Sequence, residues 1–142
     1  MSEKVKIAVI GLGVMGREHI KSVAALENTE LVAVCDVNRA AADQYAAEMN
    51  TTAYYDYHDL LEHQPRDAIL IATPHYDHTP ITIAAFAKGI HVLVEKPIAV
   101  QVKDGNQMIA AYEVAKKQYP NLIFSAVFMQ RTYGHWEKIK EI

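Results

Sequence analysis

Val5-Lys6-Ile7-Ala8-Val9-Ile10-Gly11-Leu12-Gly13-Val14-Met15-Gly16 opens the chain and decides its reading. The first six residues are short, apolar and rich in β-branched side chains, which predicts a strand. The next six form a GxGxxG, and the residues after them repeat at helical spacing. Gly11 can take the tight turn after the strand. Gly13 lets a backbone approach a pyrophosphate, and Gly16 lets the helix pack close to the strand. A helix starting there aims unpaired N–H groups and a positive dipole end at a phosphate. Gly11, Leu12, Gly13, Val14, Met15 and Gly16 are therefore candidate dinucleotide contacts. A bland reading, in which the glycines serve only a strand–helix turn, is weaker because the motif sits where a strand gives way to a helix.

Outward from this turn the chain alternates. Further short apolar runs are Leu31–Cys35, Thr52–Tyr55, Ala68–Ala72, Val92–Val94 and Leu122–Phe128. Their apolar character is nearly continuous, as in parallel strands buried on both faces. Between them lie helix candidates: Val14–Leu26, Arg39–Met49 behind an Asn38 cap, Asp56 to Gln64, Pro80–Lys88 closed by Gly89, and Val102–Gln118. The expected fold is α/β, a doubly wound, mostly parallel sheet with helices on both faces. Residues 1–130 form one domain in this reading. Residues 131–142, with Trp136 and Ile139, begin a connection and look like the start of a further helix at a fragment boundary.

Asp36 ends the second strand about 20 residues past the glycine turn, where a dinucleotide site wants an acid for the adenosine ribose. A carboxylate there favours NAD. Arg39 keeps NADP open, because a guanidinium can hold a 2′-phosphate. Methyltransferases also use glycine-rich turns, but a dinucleotide is the better fit to these residues.

Bulk properties exclude other classes. Half the residues (51%) are hydrophobic and 22% are charged, which argues against disorder. A net charge of −3 without charge blocks gives no nucleic-acid surface. No apolar run approaches the roughly 20 residues needed to span a membrane, and no secretory signal is recognisable. Cys35 is the single cysteine, in keeping with a cytoplasmic setting. His19, His58, His63, His91 and His135 have no metal-ligand spacing and read as structural or surface residues, so no metal is expected.

Two polar clusters follow later strands: Thr73-Pro74-His75-Tyr76-Asp77-His78 and Glu95-Lys96-Pro97. In open α/β sheets ligands bind beyond the carboxyl ends of strands, so both clusters should share the edge of the glycine turn. His75 and His78 could equally cap the next helix. Lys96 could be an ordinary solvated lysine, could donate to a substrate oxygen, or could be held charged by Glu95.

With these motifs in order, and with Gly89-Ile90-His91-Val92-Leu93-Val94 leading into Glu95-Lys96-Pro97, the chain resembles the Gfo/Idh/MocA oxidoreductases over nearly its whole length. The Glu-Lys-Pro segment is the most specific piece, and Phe128-Met129-Gln130-Arg131 is similar to the family segment leaving the last strand. The resemblance implies an NAD(P)-binding Rossmann domain. It implies that Gly11, Gly13 and Gly16 hold the pyrophosphate and Asp36 the ribose. It places Thr73, Pro74 and His78 along the cofactor and Glu95, Lys96 and Pro97 near the nicotinamide. Lys96 becomes the catalytic candidate, and Lys96 with Arg131 the substrate contacts. The activity implied is hydride transfer between a nicotinamide and a sugar, polyol or similar small hydroxy or keto compound, in a homo-oligomer. Family members carry a second, substrate-binding domain that these residues do not include, so the chain alone is expected to bind cofactor without turnover. The rival is a stand-alone dinucleotide sensor without chemistry; a degenerate partner-binding domain is less consistent with the intact glycines.

Overall fold

A computed structural model describes residues 3–64, 66–129 and 138. Six strands form one parallel sheet: β1 (Val5–Ile10), β2 (Thr29–Cys35), β3 (Thr52–Tyr54), β4 (Ala68–Ile71), β5 (His91–Val94) and β6 (Phe124–Ala126), in the order β3-β2-β1-β4-β5-β6. Helices connect them: α1 (Val14–Ala25), α2 (Arg39–Met49), α3 (Tyr57–His63), α4 (His78–Phe86) and α5 (Val102–Gln118). The expected doubly wound architecture is therefore present, with the sheet wholly parallel.

Alternation along the strands builds two cores. Ala8 and Ile10 of β1 face one side, where they join Leu60 and Leu61 of α3, Ile81, Ala85 and Phe86 of α4, and Ala115 of α5. Val9 faces the other side with Val34, against Ile20 of α1 and Ala42 and Ala46 of α2. A strand buried on both faces needs apolar residues at every position, which is why β1 reads as a continuous run. On the first side, Phe86 meets Tyr112 and Phe124 with ring centroids 5.3 and 5.1 Å apart.

Local signals set the element ends. The Asn38 side chain accepts the Ala41 N–H at the start of α2. Gly89, at φ +70°, lets the chain leave α4 while the Ile90 N–H donates back to the Ala85 carbonyl. Most element ends fall within two residues of expectation, α4 running His78–Phe86, and two strands differ most. Strand β2 begins at Thr29, because polar Thr29 and Glu30 pair with Val5 and Lys6 of β1, before a register shift between Ile7 and Ala8. Strand β6 spans only three residues: it pairs on one side with β5, and Ile123 before it donates its N–H to the His91 ring. Among the described residues, no helix is long and apolar enough to cross a membrane.

Strand ends are level across the sheet. Ile10 pairs with Cys35 and with Ile71, Ile71 with Val94, and Val94 with Ala126. The ladder continues one residue further, through Gly11 N–H to the Cys35 carbonyl and Glu95 N–H to the Ile71 carbonyl. This alignment brings Gly11, Asp36, Thr73 and Glu95 to one edge.

Candidate cofactor site

The three glycines of the turn have different neighbours. Gly11 sits at φ +93°, and a Cβ on it would lie 2.6 Å from backbone atoms of Ala72 and Thr73. On Gly16 a Cβ would lie 1.8 Å from the Gly11 carbonyl oxygen. Both positions are thus closed by the chain's own backbone. Gly13 has nothing within 4 Å of a Cβ position. It is the N-cap of α1, and no side chain caps the helix there. The first-turn N–H groups have no partner within the helix, and the space at the Gly13 Cβ position beside them is open. The arrangement suits an anion carried by a ligand.

Asp36 serves this turn directly. Its Oδ2 accepts the Leu12 N–H at 2.7 Å and its Oδ1 accepts the Asn38 N–H at 2.8 Å. Each carboxylate oxygen keeps a lone pair for another donor, such as a ribose hydroxyl. Arg39 is exposed, with its guanidinium carbon 4.3 Å from the Tyr55 ring centroid, and the Tyr55 hydroxyl donates to Asp43 Oδ1 at 2.6 Å. Burial, reinforced by Asp36, Asp56 and Asp59, pushes the Cys35 thiol up to about 12, so it is neutral and unreactive beside the site.

On the far side of the edge, Thr73 holds a buried hydroxyl with no hydrogen-bond partner among the described residues. That orphan and the open Gly13 cradle both fit a bound dinucleotide. Pro74 is exposed and precedes a 3-10 turn, His75–Asp77. His78 is fully buried. Its Nδ1 lies 2.9 Å from the Pro97 carbonyl oxygen and its Nε2 lies 3.0 Å from that of Thr73. An N–H on either nitrogen therefore has a carbonyl to donate to, and the ring joins the two polar clusters.

Glu95 is buried as well, at 5% exposure. It does not pair with the Lys96 ammonium. Its Oε1 accepts from His19 Nε2 at 2.6 Å, and its Oε2 accepts the Lys96 backbone N–H at 3.0 Å. Lys96 itself is exposed.

A family model described as an oxidoreductase family with an NAD-binding Rossmann fold matches residues 5–121. This chain belongs to the Gfo/Idh/MocA family. Its domain is the family's NAD-binding domain. The inositol 2-dehydrogenase of Salmonella typhimurium is 31% identical over 96% of this chain, which spans 40% of that relative's length. A glycosyl hydrolase family 109 protein of Shewanella sp. (strain W3-18-1) is 32% identical over 80% of the chain and 27% of its own length. Among solved structures, scyllo-inositol dehydrogenase from Lactobacillus casei with bound NAD(H) and scyllo-inositol superposes with a TM-score of 0.86 at 28% identity. The match covers 98% of this chain and 40% of that one.

Within this Gfo/Idh/MocA domain, the glycine turn, Asp36, Thr73, Glu95 and Lys96 share one edge, as the sequence led us to expect. His78 is fully buried, and both ring nitrogens face backbone carbonyls. Arg131 lies outside the described residues, as does most of 131–142. Sequence reasoning missed two residues, Tyr55 under Arg39 and His19 against Glu95. A signal for His19 existed, since it lies three residues after Gly16, beside Ile20, on the helix face that Gly16, Ile20 and Val23 bury.

Proposed function

We propose that this domain serves an NAD-dependent dehydrogenase whose complete form moves hydride between the nicotinamide and a hydroxyl-bearing carbon of a polyol or sugar. One observation carries the reading: the open glycine turn, with no side-chain cap, and the exposed Lys96 ammonium, unpaired among the described residues, stand at the same sheet edge. The inositol dehydrogenase relatives support the substrate class.

In this account the α1 N-terminus and the Gly13 cradle bind the pyrophosphate. Asp36 orients the adenosine ribose and disfavours a 2′-phosphate, so NAD is preferred over NADP, with Arg39 at the rim. Thr73 Oγ1 donates to the ligand, Pro74 lies beside it, and His78 holds the Thr73 and Pro97 backbones in place. Lys96 Nζ donates to the substrate oxygen and handles its proton, with Pro97 and Arg131 completing that end. When bound, the nicotinamide supplies the hydride acceptor. The proposal includes a second domain beyond these residues, a homo-oligomer and a cytoplasmic setting, the last supported by a single buried, unpaired cysteine.

The test is turnover of the full-length protein with inositols and sugars, read as NADH formation. Lys96→Ala should lower kcat by about 100-fold or more, a general acid–base loss, while NAD affinity changes little. Undiminished turnover contradicts the role of Lys96. Glycoside cleavage without net NADH formation would move the reaction to the class named for the Shewanella relative.

A further inference from the structure

We propose that His19 is a positioning residue for Lys96, acting through Glu95 across the crevice of the sheet. The inference rests on the reading of Lys96 above. Glu95 is a buried carboxylate, and such a group is costly unless its charge and lone pairs are met. Its backbone is fixed first, by the N–H that donates to the Ile71 carbonyl. Its two oxygens then have separate tasks, one on His19 Nε2 at 2.6 Å and one on the Lys96 N–H at 3.0 Å. Among the described residues no lysine or arginine pairs with it; His19 is its only ion-pair partner.

His19 is anchored on the other side. Gly16, one turn earlier on the same face of α1, is packed against the Gly11 carbonyl with no room for a Cβ. That contact fixes the first turns of the helix. The His19 side chain is 15% exposed, against 59% for its neighbour Glu18, so it points inward. Strand order β1-β4-β5 means that the bridge starts on the helix after β1, passes the end of β4, and lands at the end of β5. It spans the point where the sheet reverses its order of winding, which is where ligands bind in such sheets.

The bridge also explains the direction of Lys96. Lys96 lies in the bend that follows β5 and is exposed. With Glu95 turned inward onto His19, Lys96 is turned outward, and its ammonium is left for a ligand. Without His19, the buried carboxylate loses the side chain that hydrogen-bonds its Oε1. It must then rotate toward water or toward the Lys96 ammonium, and either movement gives up the Lys96 N–H bond. Phosphate binding at α1 and the placement of Lys96 thus share one rigid contact.

The full-length protein tests this with His19→Ala and His19→Gln, the latter keeping an N–H donor that reaches Glu95. Two readouts are needed: hydrogen exchange at the Lys96 amide, which requires no turnover, and steady-state kinetics. In H19A the Lys96 amide should exchange at least about tenfold faster, and kcat should fall about tenfold or more with NAD affinity within about threefold, since small misplacements of a reacting group are expensive. H19Q should recover most of both. His19→Asn, polar but too short to reach Glu95, is held to the H19A outcomes where alanine prevents folding. Unchanged Lys96 exchange in H19A, or a glutamine variant no better than alanine, overturns the proposal. Absence of wild-type turnover on polyols and sugars would count against the reaction proposed above; the exchange result decides the bridge either way.

Discussion

Gly16→Ala is expected to cost the chain about 3 kcal/mol or more of folding stability, an overpacking penalty at the upper end of the usual range. The added Cβ would lie 1.8 Å from the Gly11 carbonyl oxygen, far inside contact distance. Relief would require moving either Gly11 or the helix. Gly11 cannot retreat easily: it holds a positive φ, is packed 2.6 Å from the Ala72 and Thr73 backbone at its own Cβ position, and donates its N–H to the Cys35 carbonyl. The helix cannot retreat without uncovering Ile20 and Val23, both buried. Urea denaturation measures the loss. A cost under about 1 kcal/mol would mean that the turn is looser than its geometry shows.

His78→Ala is expected to cost a similar amount, about 3 kcal/mol, by a different route. The ring is fully buried, and its removal leaves a cavity. It also removes the donor between the Thr73 and Pro97 carbonyls, and a buried acceptor left without a partner costs about 1–3 kcal/mol. Its second effect is on the site: with the two clusters no longer joined, NAD affinity should fall as well. Denaturation and titration on the same variant separate the two effects. A variant as stable as wild type, with unchanged affinity, would make His78 a bystander.

Much of this was legible in the sequence because the relevant physics is local. Continuous β-branched runs announce strands covered on both faces, and a GxGxxG between a strand and a helix announces the turn. Asp36 could be located by spacing, but its bonds to the Leu12 and Asn38 N–H groups could not, because they depend on the folded path of the turn. Glu95 shows the limit most clearly. Next to Lys96 in sequence, it invites an ion pair with it; in the fold, Glu95 is buried while Lys96 is exposed in the bend after β5, and Glu95 has a partner 76 residues away. For His78 the motif identifies the position, but only the packing shows that the ring is buried with its nitrogens against the Thr73 and Pro97 carbonyls. The early start of β2 was hidden because pairing with β1, not hydrophobicity, recruits Thr29 and Glu30.

The central claim is that two glycines of the turn serve the fold and the third serves a ligand. The most direct measurement is calorimetric titration of the chain with NAD and with NADP, for wild type and for Gly13→Ala. We expect NAD to bind in preference to NADP. We expect Gly13→Ala to fold with stability within about 1 kcal/mol of wild type, the cost of alanine at a helix N-cap where the neighbourhood is open, yet to bind NAD at least about tenfold more weakly, a loss of about 1.4 kcal/mol. Undiminished NAD binding by a folded Gly13→Ala variant would contradict the account.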